Sequence, residues 1–511
     1  MRFAIRFLFL MTLAWWGILP LVASENPPRY WRLTILHTND THGNLFPFHY
    51  PDPPDPNTQE AQLALRRDIG GAARRATLVG RLRRAFGTTW LVDTGDFHDG
   101  TAFSIEHRGQ ADVAVMNAIG YTIATHGNHE FNNTRAQWQQ LVQMAQFPIV
   151  CANVLDASTK QPLLKPYEIL RVEGARVAVF GLVTESTRGY PATREGIEIT
   201  DALETARQLV PQLREQADLV VLLSHLGYEN DVRLAREVPG IDVIIGGHSH
   251  TRLAKPEFVP AGELTSAFRK NGTVIAQAFQ WGGELGKLEV LLRRDPNTGR
   301  WTPMSYRGEL ILVSPEIPED PNVKQVIERY WKPLKGYYGV LLGEAEDDFT
   351  RRGTDDAEYH FVADALREML GTEADLQNMG GVRAPLLRGK VTRYDLAKMM
   401  PFGNTAVKFR ATGAQLREIL RRTRPAVSGI RYRYERGELG EVTVNGQPLQ
   451  DDREYLISTN SYFAQRFLQP MGIAYEDTGQ KVLDLVSEYV RKHGRVRPAY
   501  DGRRVVDRSV Y

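Results

Sequence analysis

Side chains that can bind metal ions or move protons recur in short loops along the first half of the chain. Asn128 and His129 are adjacent, so one loop offers a neutral oxygen ligand beside a proton donor. The candidate metal ligands are Asp40, His42, Asp96, Asn128, His225, His248 and His250. Carboxylate, amide and imidazole groups suit Zn, Mn, Fe or Co better than they suit a thiolate metal or an all-oxygen calcium site. Seven such donors can bind two adjacent metal ions that share one carboxylate, and such a pair activates water and neutralises a phosphoryl group.

Each of these loops follows a short apolar run with the character of a β-strand. The runs lie at 32–37, 89–92, 121–124, 219–223 and 243–245, and helical patterns separate several of them. Strands that alternate with helices indicate a layered α/β domain. One histidine at one strand end is usually structural, but α/β folds place their chemistry in loops past strand ends. Five such loops in order therefore predict a common site.

Length and charge limit the classes of protein to which the chain can belong. Its 511 residues exceed a single ordinary core, so two or more domains are expected. The net charge of +2 gives no general field for nucleic acid. A Pro-rich stretch at 318–323 and a predicted helix at 323–335 indicate a connection between domains. We therefore predict a catalytic domain at 25–318, a linker helix at 319–339 and a C-terminal domain at 340–511.

The N-terminus has the pattern of a secretory signal. Arg2 and Arg6 precede an apolar run from Phe7 to Val22, and small residues follow at 22–24. The alternative is an uncleaved membrane anchor, but the run is short for a span and polar sequence follows at once. We predict cleavage after residue 24, no membrane span in the mature chain, and a periplasmic or secreted protein. The single cysteine, Cys151, excludes a disulfide within the chain and is predicted to be a core residue of a strand at 147–153.

Because they contain these ligand motifs in this order, residues 33–290 resemble the metallophosphoesterase superfamily. Together with residues 340–511, the chain is similar to the exported 5′-nucleotidase, UDP-sugar hydrolase and 2′,3′-cyclic-nucleotide phosphodiesterase family. The resemblance implies a four-layer α/β/β/α sandwich followed by a smaller α+β substrate-binding domain. It also implies a metal-bound hydroxide that attacks phosphorus, with His129, beside Asn128, stabilising the transition state. One metal ion would be bound by Asp40, His42, Asp96 and His250, and the second by Asp96, Asn128, His225 and His248.

The resemblance further implies that a small phosphoester, a nucleotide in most of the family, binds between the two domains. Two rings would stack on its base, while Arg and Asn side chains contact phosphate and ribose. The matching positions are Arg352 (or Arg351), Asn378, Arg383, Phe402, Asn404 and Tyr462 (or Phe463). Without the resemblance, we would interpret Phe402 and Tyr462 as packing residues and Arg383 as a partner in a salt bridge.

This chain departs from the family pattern in three places. An Asp stands three residues after the catalytic His in the family, whereas this chain has Asn132, an amide that can orient the ring but adds no charge. Asp99 and Asp231 are candidates to replace it from other loops. A Gly-Gly-Asp-Gly turn that would hold a ribose is absent, and residues 359–360 are Tyr-His rather than Gly-Asn. Two alternatives therefore stay open: a thiosulfohydrolase-like enzyme on the same scaffold, and a secreted binding protein with an inactive site.

Overall fold

The computed structural model describes residues 29–50, 68–260, 272–352 and 355–506, with the side chains of residues 351 and 352 excluded. The predicted signal at 1–24 lies outside these residues. Among the described helices, none is long and apolar enough to cross a membrane.

The N-terminal domain is built on two β-sheets that pack face to face. The strands of the first sheet, in spatial order, are Trp301–Leu312, Glu284–Arg294, Tyr30–Thr38, Thr89–Asp93 and Ile123–Ala124. Those of the second are Glu257–Pro260, Gly272–Ala276, Val243–Ile245, Leu219–His225, Ala175–Val183 and Tyr167–Val172. The last three strands of the first sheet are mutually parallel, as are the four central strands of the second. Parallel strands buried on both faces explain why these segments are almost continuously apolar.

Helices cover the outer face of each sheet, which completes four layers. Ile35 and Val221 lie in the core between the sheets, whereas the neighbouring residues Leu36 and Leu222 face the helices. The helices of this domain are Ala72–Phe86, Ala102–Glu106, Gln110–Ile119, Arg135–Met144, Pro191–Arg194, Ala202–Gln216 and Tyr228–Glu237. Short 3-10 turns occur at His129–Asn132 and Glu185–Thr187. This arrangement confirms the predicted α/β/β/α sandwich.

Two helices, Pro321–Trp331 and Lys335–Tyr338, connect this domain to the second one. The C-terminal helices are Ala357–Leu370, Arg393–Met399, Gly413–Thr423, Ser461–Phe463 and Val482–His493. Its largest sheet has the order Ala426–Ser428, Ala374–Gln377, Glu454–Asn460, Thr405–Thr412 and Tyr475–Lys481. Two smaller sheets contain Gly389–Thr392, Leu341–Ala345 and Arg495–Val496, and Gln447–Pro448, Glu438–Val444, Ile430–Glu435 and Arg504–Val506. The mixture of helices and largely antiparallel strands is the α+β domain expected.

The two domains meet at an apolar contact beside the linker. Ala102 of the first domain packs with Tyr338 of the linker and Ala397 of the second domain. Tyr338 also donates a hydrogen bond to Glu106, with 2.9 Å between the oxygens. The contact places the short helix Ala102–Glu106, which follows one of the candidate ligand loops, against the C-terminal domain.

Most predicted elements are present, but one prediction was wrong. The residue spacing at 111–119, 201–216, 358–370 and 412–422 predicts four helices, and each begins and ends within one residue of an observed helix. The run at 147–153 is not a strand, since only isolated bridges form at Ile149 and Val150. Cys151 is nevertheless buried, as predicted, and its N–H donates to the Lys165 carbonyl at 2.9 Å.

Candidate active site

The predicted ligands converge because the parallel strands of both sheets end at one edge. Asp40, Asp96 and Asn128 follow three adjacent strands of the first sheet, and His225 ends a strand of the second. The loops of the two sheets are joined through Thr94, whose carbonyl lies 2.7 Å from His225 Nδ1. The Thr94 hydroxyl also donates to the Gly246 carbonyl at 3.0 Å. Backbone and side-chain contacts thus hold the two sheets together at the site itself.

The ligand loops approach each other too closely for ordinary side chains. A Cβ added to Gly95 would lie 2.1 Å from the Gly127 nitrogen, and one added to Gly127 would lie 2.2 Å from Asp96 Oδ1. Five of the seven predicted ligands also have a left-handed backbone, with positive φ at Asp40, His42, Asp96, His248 and His250. Such conformations are uncommon for non-glycine residues and concentrate at functional sites.

One group of predicted ligands surrounds a point between Asp40, His42 and His250. The Nε2 atoms of His42 and His250 face each other at 3.2 Å, and His250 Nε2 lies 3.3 Å from Asp40 Oδ1. His42 Nε2 is 3.9 Å from Asp96 Oδ2, which brings that carboxylate into the same group. Two imidazole nitrogens and two carboxylates that point at one position have the composition of a cation site.

A second group lies on the other side of Asp96. His225 Nε2 is 3.1 Å from Asp96 Oδ2 and has no hydrogen-bond partner among the described residues, and His248 completes the cluster within 4.8 Å. Because His225 Nδ1 donates its proton to the Thr94 carbonyl, its Nε2 presents a lone pair. The buried oxygen of Asn128 has no hydrogen-bond partner either. Buried polar atoms are rarely left unpaired, and a cation at this position would satisfy both.

The protonation states of two of the ligand histidines, His42 and His248, favour ligation. Burial lowers the pKa of His42 to about 3 and that of His248 to about 4. Both rings are therefore neutral near pH 7, the form in which imidazole binds metal. The residues thus fit the divalent cations expected from the sequence.

Glu130, which the sequence did not single out as functional, ties two ligand loops together. Its Oε2 accepts from the backbone N–H groups of Asp96 at 2.9 Å and Gly127 at 2.6 Å. Its Oε1 accepts from those of Phe97 at 3.0 Å and His98 at 3.4 Å. Burial, followed by repulsion from Asp96, raises the pKa of Glu130 to about 8, and the backbone donors oppose that rise. Each of the four N–H donors requires an acceptor, and a carboxylate has two oxygens that can each accept two of them.

His129 lies at the edge of the two ligand groups, with Nε2 4.0 Å from Asp96 Oδ2. Its Nδ1 is 2.9 Å from Oδ2 of Asp99, one of the two candidate carboxylates. Asn132 donates a hydrogen bond to the same oxygen. Burial lowers the pKa of His129, but attraction to Asp96 and Asp99 outweighs it and raises the value to about 9. Asp231, the other candidate, is buried and accepts from Ser224 instead.

Tyr190 is a second residue of the site that sequence reasoning missed. The Asn128 amide donates from Nδ2 to the Tyr190 hydroxyl at 2.9 Å, which turns the amide oxygen toward the ligand groups. The Tyr190 ring meets the His129 ring edge-on, with centroids 6.3 Å apart. Burial raises the pKa of Tyr190, and Tyr462 of the other domain is among the neighbours that add to this effect. Tyr190 therefore faces the cleft between the domains.

The predicted substrate contacts lie on the side of the C-terminal domain that faces this cleft. Arg383 lies over the Phe402 ring at 5.5 Å, and burial lowers its pKa while the charges of Tyr359 and Asp99 oppose that effect. Tyr462 is half exposed, and the side chain of Arg352 lies outside the described part of the structure. An interdomain cavity of about 120 Å³ is lined by Ala102, Asn378, Phe402, Asn404, Asn460 and Lys481, among other residues. A larger cavity near residues 302–309 contains none of the predicted site residues.

Known protein families match both halves of the chain. Residues 33–252 match the calcineurin-like phosphoesterase family, and residues 341–468 match the 5′-nucleotidase C-terminal domain. The chain therefore consists of a metallophosphoesterase domain followed by a 5′-nucleotidase C-terminal domain, which confirms the predicted family.

Individual proteins support the same conclusion over most of the chain. The trifunctional nucleotide phosphoesterase YfkN of Bacillus subtilis is 28% identical over 559 residues, covering 94% of this chain but only 35% of that longer protein. A 5′-nucleotidase of Vibrio cholerae is 28% identical over 487 residues, 85% of each chain. The structure of a 5′-nucleotidase precursor from Thermus thermophilus has 29% identity, a TM-score of 0.77, and coverage of 93% of this chain and 99% of its own.

A sulfate thiohydrolase, SoxB, from the same genus has 21% identity and a TM-score of 0.75, with coverage of 94% and 98%; it shows a shared fold alone. YfkN and the Vibrio 5′-nucleotidase, the two relatives matched by sequence above, are named for the hydrolysis of phosphoric esters. They confirm the predicted enzyme class, a hydrolase of phosphoric esters.

Proposed function

Because the chain combines a metallophosphoesterase domain with a 5′-nucleotidase C-terminal domain, we propose that it is an exported nucleotide phosphohydrolase of the 5′-nucleotidase type with two divalent metal ions. The observation that carries the proposal is the convergence of the Asp and His side chains among the predicted ligands on two adjacent groups that share Asp96. Export rests on the pattern of the first 24 residues. The domain limits remain those predicted, with 25–318 catalytic, 319–339 linking and 340–511 binding substrate.

The residues of each group fit one cation. Asp40, His42, Asp96 and His250 would hold the first, and Asp96, Asn128, His225 and His248 the second. When bound, two such ions supply Lewis acidity toward the phosphoryl oxygens and toward water. The unpaired oxygen of Asn128 and the unpaired Nε2 of His225 support the second position most directly. The identity of the ions stays among Zn, Mn, Fe and Co.

His129 would act on the leaving group. In hydrolysis, a water oxygen forms a bond to phosphorus while the bond from phosphorus to the ester oxygen breaks. The ester oxygen gains negative charge as it leaves, and a proton from His129 Nε2 neutralises it. The position of Nε2 beside Asp96, and the hydrogen bond of Nδ1 to Asp99, support this role.

The C-terminal domain would bind the rest of the nucleotide. Arg383 forms no ion pair with a described carboxylate, although it is largely buried and lies in the cleft, so its charge is available for a phosphate. Phe402 and Tyr462 are exposed aromatic residues, 39% and 50%, on which a base can stack. Asn378 and Asn404 line the adjoining cavity and offer amides to base and ribose. Arg352 (or Arg351), whose side chain lies outside the described part of the structure, stays a predicted phosphate contact.

A substrate panel on metal-reconstituted protein tests the proposal. We expect hydrolysis of AMP, 2′,3′-cyclic AMP or UDP-glucose, and its loss in Asp96→Asn. Asp452→Asn, a change of an exposed residue in the other domain, should keep wild-type activity. Turnover of a sulfate ester or thiosulfate-bearing peptide, with none of any phosphoester, would replace this function by the thiosulfohydrolase-like one. Binding without any turnover would favour the non-catalytic alternative.

A further inference from the structure

We propose that Asp99 is the positioning residue for His129. In this chain the carboxylate that contacts His129 Nδ1 comes from the loop after Asp96 and not from the Gly-Asn-His-Glu loop. The inference rests on the proposed function, because it concerns the residue assigned there to the leaving group. It names a residue that neither the sequence motif nor the ligand set contains.

The geometry of the contact is that of an orienting hydrogen bond. Asp99 Oδ2 accepts from Nδ1 of His129 at 2.9 Å, so Nε2 is the nitrogen left to face the ligand groups. The exposed fractions of the two side chains are 27% for His129 and 16% for Asp99, which limits competition from water. A carboxylate in this position fixes both the tautomer and the direction of the ring.

The residue at 132 explains how the exchange is possible. His129 and Asn132 begin and end one 3-10 turn, and side chains three residues apart lie side by side in such a turn. Asn132 Nδ2 is accordingly 3.2 Å from His129 Nδ1, within reach of an aspartate at the same position. That aspartate would also face Asp99, because Asn132 Nδ2 already contacts Asp99 Oδ2. Two carboxylates would repel each other there, whereas the amide donates a hydrogen bond.

The loop holds Asp99 in a fixed place. Asp99 has a left-handed backbone, with φ of 65°, and its N–H donates to Ser104 Oγ at 3.2 Å. Ser104 in turn donates to the buried Asp112 at 2.6 Å. A non-glycine residue in this conformation requires support from its surroundings, and the chain of hydrogen bonds provides it. Beside His129, Asp99 thus supplies the carboxylate and Asn132 supplies the amide.

An exchange experiment tests the proposal. Four proteins are compared as metal-loaded full chains: wild type, Asp99→Asn, Asn132→Asp and the double variant Asp99→Asn/Asn132→Asp. With a nucleoside monophosphate, whose leaving group needs a proton, Asp99→Asn should lower kcat about 10- to 100-fold with little change in KM. With p-nitrophenyl phosphate, whose leaving group needs none, the loss should stay below about threefold. The double variant should recover most of kcat, since it restores one carboxylate beside Nδ1.

A structural role alone gives a different pattern. Equal losses on both substrates, with no recovery in the double variant, would mean that Asp99 only supports its loop, and the proposal would be wrong. The single variant Asn132→Asp provides a further check, because two adjacent carboxylates should lower its thermal midpoint and Asp99→Asn should restore it.

Nitrogen-15 NMR of labelled histidines separates this inference from the proposed function. The His129 signal, identified by its loss in His129→Gln, should show a protonated Nδ1 in wild type and in the double variant, and a changed Nδ1 in Asp99→Asn. An unchanged signal in Asp99→Asn would overturn the proposal whatever the enzyme hydrolyses. A changed signal in a protein that hydrolyses no phosphoester would overturn the proposed function and support the contact.

Discussion

Glu130→Gln is expected to destabilise the catalytic domain although it changes one oxygen into one nitrogen. Each carboxylate oxygen of Glu130 accepts from two backbone N–H groups, Asp96 and Gly127 on one side and Phe97 and His98 on the other. Whichever way a glutamine amide is turned, its NH₂ group faces two donors. Two N–H groups then lose their acceptor in a fully buried position.

The magnitude follows from the number of bonds lost. Above the Glu130 pKa of about 8, a hydrogen bond to the charged carboxylate contributes about 1.5–3 kcal/mol, and an unsatisfied buried donor costs about 1–3 kcal/mol. Two lost bonds therefore predict a decrease of about 3–6 kcal/mol in the free energy of unfolding, against a usual total of roughly 5–15 kcal/mol. The Asp96 loop would also loosen, so metal affinity should fall with stability.

Denaturant unfolding followed by tryptophan fluorescence measures the free energy of unfolding of the catalytic domain. All eight tryptophans of the chain precede residue 332, so the signal reports on the catalytic domain and linker. Glu215→Gln, a change at an exposed helix position, is the matched control. Measurements in chelator and in excess metal separate stability from metal binding. An unfolding midpoint for Glu130→Gln equal to that of Glu215→Gln would refute the reasoning, since glutamine imitates a protonated carboxyl group.

Four further outcomes follow from the contacts around the cleft. Tyr190→Phe removes the acceptor of the Asn128 amide and should weaken binding of one metal ion at least about tenfold, measured by metal titration. Arg383→Gln should lower kcat/KM for a nucleoside monophosphate by about 10- to 100-fold, the loss of a charged hydrogen bond to phosphate. Tyr462→Ala should lower kcat/KM for nucleotides by about 5- to 100-fold but not for glycerol phosphate, and Tyr462→Phe should restore it. Chelation should abolish turnover and lower the thermal midpoint measured by calorimetry. The midpoint falls because each ion, at 100 times its Kd, stabilises the fold by about 2.7 kcal/mol.

The sequence was sufficient to predict the convergence of the ligands because each sits at the end of an apolar strand. Strand ends in a parallel sheet share an edge, so the positions of Asp40, Asp96 and Asn128 along the chain determined their neighbourhood in space. His225 and His248 follow the same rule in the second sheet. The apolar run around Cys151 misled the same reasoning, because burial without ladder pairing leaves an identical pattern of residues.

The residues that orient the ligands could not be predicted in this way. Asp99, Glu130 and Tyr190 act through contacts that span 30 to 62 residues of sequence. Such contacts depend on loop conformation, for which hydrophobic periodicity gives no signal. Asp99 could be named as one of two candidates, but the choice between it and Asp231 required the course of both loops. Arg383 and Tyr462 were predicted by resemblance alone, and their position facing the catalytic loops comes from the packing of the two domains.

Contacts between the two ligand loops hold the strained backbone of the site in place. Left-handed conformations at non-glycine residues cost about 1–3 kcal/mol each, and Asp40, His42 and Asp96 adopt them in two loops that touch. The Asp40 N–H donates to the Gly95 carbonyl at 3.0 Å and the His42 N–H to the Asp96 carbonyl at 2.9 Å, so each strained residue is held by the opposite loop. These hydrogen bonds, which form on folding, offset the cost of the left-handed conformations. Ligands whose positions are fixed by such contacts lose little conformational freedom when an ion binds, which favours tight binding by a ligand set with only two carboxylates.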